Sequence, residues 1–217
     1  MLKKMVGKYA AELVNDGDLI GLGTGSTTLE FVKALGNRIK KEELTVYGIP
    51  TSFQAKMAGT ENKIRMVSLE EYAPKKAFDG ADEVDPHNFL VKGRGAALLQ
   101  EKIIDYAADK FYVLIDEGKL VKNLGERAKI PIEILPTAWK TVYVELKDLN
   151  PELRMAEKKD GPAITDNGNF IIDLGFTVKD PEKKEKELNT IPGVIENGIF
   201  TKKCTVLMGT KKGVKEL

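Results

Sequence analysis

Apolar side chains recur at helical spacing from the start of the chain. Leu2, Met5, Val6, Tyr9, Ala10, Leu13 and Val14 fall on one face of a helix predicted over residues 2–14. Asn15-Asp16-Gly17-Asp18 ends it. An unbroken apolar run at 19–22 predicts a short buried strand. It leads into Gly23-Thr24-Gly25-Ser26-Thr27, and a helix follows with Phe31, Val32, Leu35 and Ile39 on one side. The alternation repeats. Strands are predicted at 44–49, 64–67, around Ala77-Phe78, at 89–91 and at 111–115, with helices at 52–58 and 96–108. Short apolar strands alternating with helices predict an α/β fold, a mostly parallel sheet with helices on both faces.

The pattern changes near Lys129. A strand is predicted at 130–135, a helix at 137–146 and a strand at 153–156. Residues 163–165 and 170–174 read as a β-hairpin around Asp166-Asn167-Gly168-Asn169. Pro181 opens a helix whose charged run, 182–188, reads as a solvated face. This stretch predicts a small α+β domain, with Trp139 packed inside it. Residues 204–209 predict a buried strand that returns to the main sheet, with Cys204 as core packing. The expected division is 1–128 plus 204–217 for the main domain and 129–203 for the small one.

Composition narrows the chemistry. Lys+Arg 34 against Asp+Glu 33 leaves a net charge of +1, so the chain has no bulk electrostatic footprint for nucleic acid or an acidic membrane. No apolar run approaches the ~18–20 residues that span a bilayer. The basic first residues lead into an amphipathic segment rather than a signal sequence, so a cytoplasmic protein is expected. One cysteine and one histidine exclude an intramolecular disulfide and Cys- or His-cluster metal sites. His87, in a polar loop, is expected to be exposed and without a role. Acid–base chemistry here has carboxylates and lysines to work with.

Four Gly-, hydroxyl-, Asp- or Lys-bearing loops follow predicted strand ends, where open α/β sheets bind ligands. Gly21-x-Gly23-x-Gly25-Ser26-Thr27 suits anion binding by backbone amides at a helix start. It lacks the lysine of a phosphate-binding Walker loop, and Ser26 replaces the third glycine of a dinucleotide fingerprint. A tight turn without a ligand is the alternative. Asp79-Gly80-Ala81-Asp82-Glu83 packs three carboxylates into five residues, for sugar hydroxyls, for acid–base work, for a divalent metal that would need further ligands, or as an exposed acidic turn. Lys92-Gly93-Arg94-Gly95 places a cation at a strand end, ready for a phosphate or an oxyanion. Glu101, deep in the helix that follows, reads by position alone as a surface residue. Lys119, after Asp116-Glu117-Gly118, reads as a second phosphate cation or an ordinary surface lysine. Together the loops offer anion donors, carboxylates and ammonium groups without a metal cage or a thiol, an inventory that suits proton transfer on a phosphorylated sugar, and no cofactor is expected.

In these motifs the chain resembles the type A ribose-5-phosphate isomerases, particularly archaeal ones. The resemblance rests on Gly21 to Thr27, Phe78 to Glu83, Lys92 to Ala97 with Glu101-Lys102, and Asp116 to Lys119. It continues through Thr165 to Asn169, Ile191 to Val194 and Gly209 to Val214, in order along almost the whole chain. It implies a metal-independent interconversion of D-ribose 5-phosphate and D-ribulose 5-phosphate through a cis-enediolate. Glu101 falls on the proton-transferring base and Lys92 on the lysine that stabilises the enediolate oxygen. Asp79 and Asp82 fall on the carboxylates for sugar hydroxyls and ring opening, their division left open. Thr24, Gly25, Ser26, Thr27, Gly80, Ala81, Gly93, Arg94, Gly95 and Lys119 fall on substrate-binding positions. The resemblance also implies a Rossmann-like main domain, a small ferredoxin-like domain, and a homodimer or homotetramer. Arg94 stands where many members have glycine, and Gly118 where serine is common.

Two other classes compete. A sugar-phosphate-sensing module would use the glycine loop but has no need of Glu101 and Lys92. An acyl-transfer enzyme with a glutamate nucleophile would instead form a covalent acyl intermediate.

Overall fold

The computed structural model describes residues 1–217. In chain order the elements are α1 (Leu2–Glu12), β1 (Leu19–Leu22), α2 (Ser26–Glu42), β2 (Tyr47–Pro50), α3 (Phe53–Glu61), β3 (Arg65–Met66) and β4 (Lys76–Gly80). Then come β5 (Glu83–Val84), β6 (Leu90–Val91), α4 (Leu98–Ala107), β7 (Lys110–Asp116), β8 (Ile130–Ile134), α5 (Trp139–Glu145), β9 (Pro151–Leu153) and β10 (Phe170–Leu174). The chain closes with α6 (Pro181–Leu188), β11 (Val194–Asn197), β12 (Ile199–Phe200), β13 (Thr205–Thr210) and β14 (Gly213–Glu216). No helix is long and apolar enough to cross a membrane.

The chain forms two compact units. Met1–Ala81, Gln100–Lys119 and Lys203–Leu217 make the first; Asp82–Leu99 and Leu120–Lys202 make the second. This division differs from the expected one. Residues 82–99 and 120–128 fall with the second unit, because 83–84 and 90–91 pair there and not in the main sheet.

The first unit is built on a seven-stranded sheet of order β14-β13-β7-β4-β1-β2-β3, parallel except for β14. Residues 205–210 return to it beside β7, as expected. Side chains alternate along β1. Ile20 and Leu22 join Val6, Ala10, Phe31, Leu35 and Ala55 in one apolar cluster, so α1, α2 and α3 cover that face. Gly21 points the other way, where a Cβ would meet Ile104 of α4 at 2.8 Å. Helices therefore cover both faces. Phe78 of β4 stacks between Phe31 and Tyr112, with centroids at 4.6 and 5.1 Å.

The second unit holds a four-stranded sheet, β11-β8-β10-β9, and a three-stranded one, β12-β6-β5, all antiparallel. Ile130, Ile132, Ile134, Val142, Ile172 and Leu188 belong to its core. The predicted strand at 89–91 exists, but as a rung of the antiparallel β12-β6-β5 sheet. Of the predicted 163–174 hairpin, residues 170–174 form a strand, and the other arm touches it only at Ile164–Phe170. Trp139 is not interior: 41% of it is exposed, on a helix whose one buried residue is Val142. Cys204 is buried and His87 exposed.

Candidate active site

In the first unit the chain leaves β1 to build β2 and β3 on one side and β4, β7 and β13 on the other. The strand order thus reverses at β1, and the carboxyl ends of β1 and β4 flank the crevice where such sheets take ligands. Gly23-Thr24-Gly25 and Asp79-Gly80 both lie at that edge. Lys119 ends a short 3-10 turn directly after β7, the strand next to β4.

The glycine loop is locked from both sides. Asp79, fully buried, accepts from the Thr24 amide at 3.0 Å and the Gly80 amide at 2.6 Å through Oδ1. A Cβ on Gly23 would sit 2.1 Å from that oxygen and 2.5 Å from the Asp79 Cα, so only glycine allows this approach. On the β2 side, Thr24 Oγ1 shares hydrogen bonds with Thr51 Oγ1 (2.8 Å) and Ser52 Oγ (2.6 Å), and Gly25 N–H donates to Gln54 Oε1 at 3.0 Å. Ser52 also caps α3 by accepting from Ala55 N–H.

The loop feeds the N-terminus of α2, whose first amides have no acceptor within the helix and attract anions. Ser26 and Thr27 stand there. Lys3, from α1, donates from Nζ to Ser26 Oγ at 2.8 Å. Sequence reading overlooked Lys3, Thr51, Ser52 and Gln54. The hydroxyl-rich Thr51-Ser52 at a strand end was a usable signal, while Lys3 shows only once α1 packs on α2.

Glu101 is not the surface residue that its position suggested. It is 5% exposed. The helix begins at Leu98 rather than 96, so Glu101 lies in its first turn. Glu101, Ile104, Asp105 and Ala108 are all buried, the i, i+3, i+4, i+7 stripe of a helix face. Ile104 packs over Gly21 and Ala77 is its neighbour there, so this stripe faces the side of the sheet that Gly21 and Ala77 share. Asp79, two residues after Ala77, points to the same side. Only two residues separate Ala107 from Lys110, which ties the end of α4 to the start of β7. The first turn of α4 therefore lies toward the carboxyl edge, where Asp79 and the glycine loop are. Asp105, 1% exposed, is a second buried carboxylate on that stripe that sequence reading overlooked.

The second unit assembles the remaining candidates. Lys92 is 2% exposed, and its ammonium lies 5.5 Å from the centroid of the Phe200 ring. The β6–β12 pairing puts Phe200 there, and Lys92 N–H donates to Gly198 O at 2.9 Å. Asp82 N–H donates to Val91 O at 2.8 Å, and Asp82 Oδ2 accepts from Arg94 N–H at 3.0 Å. Gly93 has φ +108°, the left-handed region that glycine favours. Arg94 and Gly95 are exposed. Glu83, the third carboxylate of the acidic run, is structural. It is 1% exposed and accepts from the amides of Gly125 (2.6 Å), Arg127 (2.6 Å) and Ala128 (2.7 Å). The repulsion expected in that run is relieved by backbone amides given to each acid separately.

Comparison with known proteins places the whole chain among known relatives. The family model for ribose 5-phosphate isomerase A (phosphoriboisomerase A) matches residues 47–213. Ribose-5-phosphate isomerase A of Methanocaldococcus jannaschii is 55% identical, over 100% of this chain and 97% of its own length. That of Thermococcus kodakarensis is 53% identical with the same coverage. The solved M. jannaschii enzyme superposes with a TM-score of 0.97, at 55% identity, over 100% of this chain and 97% of that one. A solved D-ribose-5-phosphate isomerase in complex with phospho-erythronic acid also gives 0.97, at 53% identity and the same coverage.

Proposed function

The chain belongs to the ribose 5-phosphate isomerase A family, and on that premise we propose that it interconverts D-ribose 5-phosphate and D-ribulose 5-phosphate through a cis-enediolate, with Glu101 moving the proton. The observation that carries this reading is the placement of Glu101. It is a buried carboxylate at the carboxyl edge of the sheet, on the side that Asp79 shares.

The chemistry follows from that inventory. A proton on C2, α to the aldehyde, is weakly acidic and needs a base together with charge stabilisation on oxygen. Glu101 takes the C2 proton. The C–H electron pair becomes the C1=C2 bond, and the carbonyl pair passes to O1. Lys92 supplies the cation for the enediolate oxygen. The O2 hydroxyl proton then passes to O1 while Glu101 returns its proton to C1, so no electron leaves the sugar. Asp79 and Asp82 serve the sugar hydroxyls and ring opening. The phosphate is received by Thr24, Gly25, Ser26 and Thr27, with Gly80, Ala81, Gly93, Arg94, Gly95 and Lys119 completing the substrate contacts. Lys3, already on Ser26, adds a phosphate cation. A solved relative in complex with phospho-erythronic acid supports a phosphorylated substrate. The same reading has the chain working in the cytoplasm as a homodimer or homotetramer.

The test is direct. Purified protein mixed with ribose 5-phosphate in deuterated water should form ketose and carry solvent deuterium into the sugar. No ketose formation contradicts the proposal. A covalent acyl-enzyme trapped by hydroxylamine after an acyl-CoA pulse would favour acyl transfer instead.

A further inference from the structure

The loop that carries Lys92 is gripped by a residue with no part in the reading so far. Arg154 directly follows β9, and its backbone continues the pairing: Arg154 N–H donates to Ile171 O at 2.9 Å. The neighbouring strand β10 presents Asp173. The Arg154 guanidinium meets this carboxylate as a fork, Nε to Oδ2 at 2.8 Å and Nη2 to Oδ1. Both side chains are about four-fifths buried, at 20% and 17% exposure. A bidentate pair fixes the plane of the guanidinium. The remaining nitrogen, Nη1, is thereby aimed at two successive carbonyls of the Lys92 loop, Gly93 O at 3.0 Å and Arg94 O at 3.1 Å.

One peptide unit is then held at both ends. The Gly93–Arg94 peptide gives its carbonyl to Arg154 and its N–H to Asp82 Oδ2, at 3.0 Å. A trans peptide is planar, with its C=O and N–H pointing to opposite sides. Fixing one end therefore aims the other. The order is Asp173, Arg154, peptide, Asp82, with alternating charge. Each hydrogen bond polarises the next in such a chain. Gly93, in the left-handed region and with a Cβ position only 2.8 Å from both Leu98 and Pro131, leaves this loop few alternatives.

We propose that Arg154, oriented by Asp173, is a positioning residue for the isomerisation: it sets the Gly93–Arg94 peptide, and through it the direction of Asp82 and the seat of Lys92. This rests on the proposed isomerase reading for the roles of Asp82 and Lys92. The clamp itself rests on the geometry alone. Loss of positioning by about 1 Å costs on the order of 100-fold in rate.

The experiment is a double-mutant cycle read alongside amide exchange. Arg154→Met should lower kcat/KM by about 10–100-fold in the otherwise native chain. In an Asp82→Asn background the same change should cost at least about threefold less than in the native chain, because one of the two groups it positions is already gone and only the seat of Lys92 remains to be disturbed. Asp173→Asn, which keeps the shape of the side chain, should cost less than Arg154→Met and show the same dependence on Asp82. Hydrogen–deuterium exchange should rise about tenfold or more in residues 92–96 of both Arg154→Met and Asp173→Asn, with β8 and β10 unchanged. Equal losses in the two backgrounds, or unaltered exchange at 92–96, overturn the proposal. The exchange arm needs no activity, so it decides even where Asp82→Asn is too slow to assay. Wild-type protein without isomerase turnover would sink the functional reading while leaving the exchange result to judge the clamp.

Discussion

Gly23→Ala is the smallest perturbation that reaches the heart of the glycine loop. A Cβ there would lie 2.1 Å from Asp79 Oδ1, 2.2 Å from its Cγ and 2.5 Å from its Cα. Rotating the carboxylate away relieves the first two contacts, but the third is backbone. Carbon atoms in contact rest at about 3.5–4.0 Å, so the loop and β4 must separate by about 1 Å. That separation breaks the 3.0 Å bond from Thr24 N–H to Asp79. Overpacking costs about 1–3 kcal/mol, and a lost hydrogen bond to a charged group about 1.5–3 kcal/mol. Taking the low end of each, the variant is destabilised by about 2.5 kcal/mol. At roughly 2–4 °C per kcal/mol for a chain of this size, Tm falls by about 5–10 °C. If the loop seats the substrate phosphate as proposed, its displacement also misplaces that phosphate, and kcat/KM for ribose 5-phosphate should fall on the order of 100-fold. Differential scanning calorimetry and a ketose-forming assay well below the new Tm measure the two effects separately. A variant with Tm within about 2 °C and kcat/KM within about threefold of the parent would refute the argument that Gly23 exists to admit Asp79.

Two further outcomes follow from the same geometry. Lys3→Met removes the ammonium from Ser26, so KM for the sugar phosphate should rise about 2–5-fold, with kcat retained and the difference shrinking in high salt; this is read from initial rates at two ionic strengths. Glu83→Gln puts an amide NH2 where one carboxylate oxygen now receives backbone N–H groups of the 125–128 turn, so it should cost about 2–4 kcal/mol of stability by urea unfolding, larger than any change in KM.

Much of the architecture was legible because its signals are local. The run at 19–22 is bounded by a charged turn and a glycine loop, and the strand occupies those four residues. The return at 204–209 was visible as a late apolar run without helical spacing, and it pairs with β7 within a residue of that span. The strand at 89–91 was found but given the wrong neighbours. Two buried residues, Leu90 and Val91, look the same in a parallel and an antiparallel ladder; one partner strand is the two-residue 83–84, and the other stands far away in sequence at 199–200. Trp139 was expected inside because large aromatics usually bury their area, but α5 turns only Val142 inward.

The candidate site divides along the same line. The glycine loop, the aspartates and Lys92 announced themselves by composition at strand ends. The burial of Glu101 did not, although the spacing of 101, 104, 105 and 108 held the clue: a carboxylate in register with Ile104 lies on the packed face. Arg154, 60 residues from the carbonyl of Arg94 that it holds, has no sequence signal, since the groups it holds in the Lys92 loop are backbone carbonyls and its carboxylate partner, Asp173, stands on another strand.

The central claim is that the Glu101 carboxylate carries the proton between C2 and C1. Turnover of ribose 5-phosphate by Glu101→Gln at saturating substrate, with sugar-phosphate binding measured by calorimetry on the same sample, tests it most directly. General acid–base catalysis contributes on the order of 100- to 10,000-fold, so the variant should bind within about threefold of the parent and turn over at least about 100-fold more slowly. Turnover close to the parent's, with binding intact, would contradict the account.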